Sequence, residues 1–260
     1  MEKWLSLWSM GQTKTEQDMK AIRQAGFAGV EIWAEHHSAE ADMALAADAG
    51  LKVGLHLPFH DLNLATPYEG VGTVITERNK YWLGKLGELG GGHAVIHGGS
   101  AWASEDEEDA GARVVGRLQQ IRALADEHNV QLLFENQIPD KLNYMHIFPS
   151  SVDEWMSILD KTQTAACLDT GHLAVLGAPL AETVARLGNR LASVHFSDND
   201  MKGDLHQLPG DGATQTGTRE LVKILKENGY QGPVVFEINP YTYTLADILE
   251  HPSVTAQLDE

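Results

Sequence analysis

The chain has 260 residues, 43% of them hydrophobic and 22% charged, with a formal net charge of −18. This is the profile of a folded globular protein able to bury a large core, and its acidity argues against nucleic acid or an anionic membrane surface as a partner. A single cysteine, Cys167, excludes a disulfide framework within the chain. No apolar run reaches the roughly 18 residues of a membrane span, and the opening MEKWLSLWSM lacks the basic-then-apolar pattern of a secretory leader, so a cytoplasmic location is expected.

Short apolar runs alternate with longer amphipathic stretches along the whole chain. The first predicted strand is Trp4–Trp8, followed by a helical pattern over Thr15–Ala25. The second, Gly29–Trp33, carries Glu31. The third, Lys52–Leu57, ends in GLHLPFH with His56 and His60. The fourth, His93–His97, ends in VIHGG and leads to a helix predicted over Glu108–His128. The fifth, Val130–Glu135, ends in LFENQ. The sixth, Ala165–Asp169, runs into CLDTGH with His172. The seventh, Leu191–Phe196, ends in VHFSDND with His195, and its loop GDLHQLPGDG adds Asp204, His206 and Asp211. A helix over Gly217–Asn228 precedes the eighth strand, Pro233–Ile238, whose FEIN contains Glu237.

Strict alternation of strand and helix demands a mostly parallel sheet, and strands this continuous in apolarity are buried on both faces. Eight units in one chain of this length favour closure into a (β/α)8, or TIM, barrel over an open doubly wound sheet. The first strand runs into Ser-Met-Gly-Gln, which is not the glycine fingerprint of a dinucleotide-binding sheet. No linker or composition break interrupts the chain, so one domain over 1–260 is expected.

The C-terminal ends of barrel strands converge on one rim, where active sites sit. Glu135, Asp169, His195 and Glu237 end four successive strands, and with His56, His97, His172, Asp204 and His206 they place carboxylates and imidazoles at six successive strand ends. A lone strand-end histidine is more often a packed structural residue, and a lone glutamate often pairs with Lys or Arg. Here basic residues are scarce near those ends, Lys141 and Lys202 being the nearest in sequence. Carboxylates crowded without cationic partners repel one another, and a divalent cation removes that repulsion, so a metal site is expected.

These segments resemble the xylose isomerase-like barrel superfamily, above all its sugar phosphate isomerase/epimerase group, and also endonuclease IV. HLPFHDLNLATP, VIHGG, FEN, CLDTGH, DLHQLPGDG and FEIN carry the resemblance, which spans GFAGVEIW to GPVVFEIN. It implies one divalent ion (Mn or Zn, with Mg or Co as alternatives) held by Glu135, Asp169, His195 and Glu237. It also implies that Glu135 and Glu237 act as the acid/base pair on a sugar or polyol, moving a proton through an enediolate. A lyase or dehydratase on a keto-polyol is chemically adjacent, reached when a β-hydroxyl leaves. The endonuclease IV pattern adds His56 and His97 beside Glu135, and His172, Asp204 and His206, for up to three zinc ions and a phosphodiesterase activity. Against the nuclease stand the acidic loop WAEHHSAEAD and the net charge. The acidic FSDNDMKGD loop argues for a substrate without phosphate.

Other positions read as support. Glu31 is expected to buttress a ligand or touch substrate, and Trp8, Trp33, Phe59 and Trp102 to wall a sugar face or plug the barrel. His60 is open between ligand support and loop structure. His36, His93, His128, His146 and His251 read as packing or surface residues, and Cys167 as packed. A homo-oligomer is compatible with this sequence.

Overall fold

The computed structural model describes all residues except Gln12, Lys141, Gln215, Gln257, Asp259 and Glu260. Lys141, one of the two basic residues near the rim in sequence, therefore lies outside the described residues. Eight parallel strands close a barrel: β1 (Glu2–Ser6), β2 (Gly29–Trp33), β3 (Lys52–His56), β4 (Gly92–Ile96), β6 (Val130–Glu135), β8 (Ala165–Asp169), β9 (Leu191–Phe196) and β10 (Pro233–Phe236). Each strand pairs with its neighbours in the chain-order sequence of barrel strands, and β10 closes on β1 through Trp4↔Val235 and Leu5↔Phe236.

The strand positions match the sequence reading with small shifts. The first strand begins earlier, at Glu2, and Trp8 falls in the 3-10 turn Leu7–Met10 that follows it. Two three-residue strands were not anticipated: β5 (Ser100–Trp102) and β7 (Met145–Ile147) pair antiparallel in the loops after β4 and β6. Segments that short carry no periodicity to detect.

Helices α1 (Glu16–Gln24), α2 (Ala39–Asp48), α3 (Glu69–Glu88), α4 (Glu107–Glu127), α5 (Val152–Thr162), α6 (Thr170–Leu176), α7 (Leu180–Leu187) and α8 (Thr218–Glu227) follow the strands. Thr15 and Asp18 form a reciprocal capping box that starts α1. Two short helices, α9 (Leu245–Glu250) and α10 (Pro252–Thr255), end the fold.

The two faces of the strands differ. Leu5, Val30, Ile32, Leu55, Phe134, Leu168, Val194 and Phe236 belong to the large apolar core shared with helix residues such as Met19, Ile22, Leu118 and Trp155. Residues between them alternate to the barrel axis. Those include Ser6, Glu31, His93, Ser193 and His195, all buried, and a small separate cluster of Val95, Leu133 and Cys167. The outward face holds the barrel to its helices; the inward face is polar for much of its depth.

Candidate metal centre at the barrel rim

Each rim residue is delivered by a strand end and fixed by the backbone beside it. Glu135 is the last residue of β6, and the next residue, Asn136, bridges to β8. Its side-chain amide donates to the Asp169 carbonyl at 3.0 Å, and its side-chain oxygen accepts from Asp169 N–H at 2.8 Å. Asp169 in turn caps α6, its Oδ1 accepting from His172 N–H at 2.6 Å, so the cap that starts the helix also sets His172. Asp198, in the loop after β9, is buried and accepts from Gly210, Gly212 and Thr214. That clasp folds the PGDG segment back and carries Asp204 and His206 with it.

All nine residues singled out at the strand ends come together. Ligand atoms of Glu135, Asp169, His195 and Glu237 lie within 4.8 Å of one another, and the same holds for His56, His97 and Glu135, and for His172, Asp204 and His206. Glu135 joins two of these groups: Oε2 is 2.8 Å from His97 Nε2 and 3.5 Å from His56 Nε2, while Oε1 is 3.2 Å from His195 Nδ1. His172 Nε2 and His206 Nε2 both face Asp204 Oδ2, at 3.2 and 3.0 Å.

The imidazoles are oriented as metal ligands are. Nδ1–H of His56 donates to the Leu57 carbonyl, that of His172 to the Asn136 carbonyl, and that of His206 to the Glu237 carbonyl, at 3.1, 2.8 and 3.2 Å. A carbonyl oxygen only accepts, so Nδ1 carries a proton, and Nε2 is the nitrogen turned toward the neighbouring carboxylate, where an ion would be held. His195 is turned the other way. Its Nε2 meets Glu31 Oε1 at 3.1 Å, and its Nδ1 lies 3.2 Å from both Glu135 Oε1 and Glu237 Oε2 without a hydrogen bond to either.

The donor set fits a divalent cation. Asp169 Oδ2 and His195 Nδ1 are buried polar atoms without a hydrogen-bond partner, and both belong to the same four-residue group. Such orphans are costly unless something absent from the protein itself satisfies them. Burial pushes the Asp169 carboxyl up to about 6, with His172 opposing and Glu135 adding to the rise. Glu135 is equally buried, yet His195 and His97 hold its carboxyl well below the usual range. Among the described residues no lysine or arginine pairs with these carboxylates; their partners are imidazoles.

Aromatic rings border the group. Trp8 stacks on Trp33 at 5.5 Å, Trp33 meets Phe59 edge-on at 5.6 Å, and Phe59 lies 4.1 Å from His97. Trp33 Nε1–H also donates to Glu237 Oε1 at 3.3 Å, joined there by the Ser6 hydroxyl at 3.2 Å. Trp102 sits apart on β5 and is exposed. His60 is exposed too, but its backbone N–H donates to Glu35, which holds the loop bearing Phe59.

Two features escaped the sequence reading. Lys14, in the loop before α1, is buried and bonds His36 Nδ1 and Asp42 Oδ2, each at 2.9 Å, tying the loops after β1 and β2 together. These residues are scattered in sequence, and nothing local marks them as partners. A fourth group of metal-ligand types is Glu107, His146 and Glu154, whose two glutamates line a groove of about 630 Å3 between α4 and α5. There Glu154 is already used by Ser150 N–H, Ser150 Oγ–H and His146, and Glu107 is exposed. It is a hydrogen-bonded group at a helix start.

Residues 19–256 match the family described as xylose isomerase-like TIM barrel. The chain belongs to that family. An uncharacterized protein of Methanocaldococcus jannaschii is 27% identical over 192 residues, 72% of this chain and 64% of the relative, so the chain spans under two thirds of that relative's length. The fructoselysine 3-epimerase of Escherichia coli O157:H7 is 20% identical over 236 residues, 86% of this chain and 85% of the enzyme. Among solved structures, a D-tagatose 3-epimerase-like protein superposes with a TM-score of 0.80 at 22% identity, covering 92% of this chain and 91% of the other.

Proposed function

We propose that the protein is a divalent-metal-dependent isomerase or epimerase of a sugar or polyol, with Glu135, Asp169, His195 and Glu237 as ligands. The observation that carries this reading is the buried four-residue group in which two glutamates face the same imidazole nitrogen, each at 3.2 Å. Support comes from the similar proteins described as sugar 3-epimerases.

A bound divalent ion supplies Lewis-acid polarisation of a substrate carbonyl and its neighbouring hydroxyl. The chain supplies the rest. Glu135 and Glu237 approach from β6 and β10, on either side of the β9 histidine. One takes a carbon-bound proton from one face of the substrate, and the other returns a proton to the opposite face. Ser6 and Trp33 hold Glu237 Oε1, which leaves Oε2 for the reacting side. The Trp8, Trp33 and Phe59 rings pack an apolar sugar face and exclude water.

The test has two parts. Elemental analysis of protein purified without chelator is expected to give about one Mn or Zn per chain at the four-ligand site. In deuterated water, a panel of ketoses should then gain deuterium at the carbon beside the carbonyl, and Glu135→Gln and Glu237→Gln should each slow that exchange by roughly 10^2- to 10^4-fold. Exchange with no ketose in the panel would defeat the proton-transfer reading.

A second reading is favoured by the groups flanking the first. His56 and His97 share Glu135, and His172 and His206 converge on Asp204. This is the donor set for a multi-zinc phosphodiesterase. Its signature is about three zinc ions per chain with hydrolysis of an activated phosphodiester and no ketose exchange.

A further inference from the structure

The barrel axis beneath the rim holds a line of polar residues where packed aliphatic layers are the usual filling. Glu31 lies on β2, is fully buried, and stands between two histidines from different strands. Its Oε2 accepts from Nε2 of His93 on β4 at 3.0 Å and from Nε2 of His195 on β9 at 3.3 Å, while its Oε1 is buried without a hydrogen-bond partner. A buried carboxylate here only accepts, so each histidine donates from Nε2. With its Nε2 proton held on Glu31, Nδ1 is the His195 nitrogen available to an ion, and it points between Glu135 and Glu237.

Space has been cleared for this arrangement. Gly54 on β3 stands beside Glu31 in the strand register. A Cβ at Gly54 would come within 2.6 Å of His93 Nε2 and 2.7 Å of its Cε1, so only glycine admits the ring. Below, His93 packs on Trp4 with ring centroids 5.1 Å apart, and both line a cavity of about 410 Å3 at the N-terminal mouth. The line thus runs from that mouth through His93, Glu31 and His195 to the rim.

We propose that Glu31, braced by His93 in the space left by Gly54, is the positioning residue that fixes the tautomer and ring plane of His195 for the ion. This rests on the metal-site reading above. His93 reaches the ion only through Glu31. His93 and His195 share Oε2 of Glu31, and the shorter bond, from His93, holds the carboxylate in place. Without His93, Oε2 loses the shorter of its two hydrogen bonds and the carboxylate is free to rotate away from His195.

The test measures zinc affinity by competition with a chromophoric chelator, together with long-range proton–nitrogen NMR of histidine in the zinc-loaded protein. In the unmodified protein the His195 proton should reside on Nε2 with the shift of a hydrogen-bonded proton. Glu31→Gln, which keeps shape, should weaken zinc binding about 10- to 100-fold, the usual scale for losing such a partner. His93→Gln and Gly54→Ala should each weaken it several-fold and alter the His195 Nε2–H signal. Adding His93→Gln to Glu31→Gln should cost less than a further twofold, because the two act in series. Zinc affinity within twofold of the unmodified protein in Glu31→Gln, or losses that multiply in the double variant, would overturn the proposal while leaving the metal site standing. Failure of the unmodified protein to bind any divalent ion would remove the site itself and this proposal with it.

Discussion

The two ends of the barrel use the same kinds of residue in opposite ways. At the N-terminal mouth, Glu2 bonds Lys52 and the Trp4 indole, and the remaining wall of the cavity includes Trp4, Leu51, Val53 and Leu89. Charge there is balanced locally, one acid to one base. At the C-terminal rim, Glu135, Asp169, Asp204 and Glu237 gather with no lysine or arginine among their described partners, and Asp169 Oδ2 and His195 Nδ1 are buried without a hydrogen bond. The mouth is electrostatically complete, whereas the rim has a deficit of positive charge that fits a cation. Composition does not distinguish the ends; partner type does.

The comparison breaks most sharply at Glu135, the one carboxylate common to two of the rim groups. Glu135→Gln is expected to lower deuterium exchange into substrate about 10^3-fold, within the usual range for loss of a general base, and to lower ion stoichiometry as well. If the ion count is unchanged, the two groups do not depend on their shared residue. Removing metal is the next largest effect. A ligand held at 100 times its dissociation constant stabilises the native state by about 2.7 kcal/mol. For a chain near this size that is a fall in Tm of roughly 5–10 °C on chelation, read by differential scanning calorimetry. An unchanged Tm would show that the rim is complete without an ion.

How much of this was legible in the sequence follows from the same contrast. The rim was readable because histidine and carboxylate stand at the ends of apolar runs, as in LFENQ and CLDTGH, where a packed strand has no use for them. The barrel was readable from alternation alone. The axial line was not, because a strand read as uniformly apolar does not reveal which positions face the axis. His93 and Glu31 looked like a packing residue and a rim residue, yet they are partners inside the barrel. A signal was present in KVGLH: a glycine inside a strand marks close approach of another group, and Gly54 marks His93. The Lys14–His36–Asp42 contact had no such signal, since its members sit in two loops and on α2, brought together only by closure of β1 on β2.

That buried contact allows a pH experiment away from the rim. Burial and the neighbouring Lys14 ammonium press the His36 imidazole down to about 4, against Asp42, which favours its charged form. The folded protein therefore resists protonating His36, while the unfolded chain accepts a proton below about 6.5. Between those values the unfolded state binds more protons, so stability falls as the pH is lowered from 6.5 to 4 and this contribution is fully present above 6.5. Urea unfolding midpoints across that window should show the decline, and His36→Gln should flatten it. A slope unaltered in the variant would assign the decline to other groups.

The smallest expected effect lies at the mouth. Lys52 and Glu2 pair across the barrel end, but both side chains are largely open to water, 62% and 38% exposed. Exposed pairs of this kind contribute about 0–1 kcal/mol, because solvent screens the attraction and two long side chains lose freedom in forming it. Lys52→Ala should therefore shift the urea midpoint slightly and leave both zinc affinity and deuterium exchange unchanged. The informative feature is that second half. Lys52 lies on the same strand as Gly54 and His56, so a variant that weakened metal binding would mean that strain at the mouth is transmitted up β3 to the rim. Local charge balance predicts no such transmission, because the pair offsets its own charges at the surface and shares no hydrogen bond with His93, Glu31 or His195.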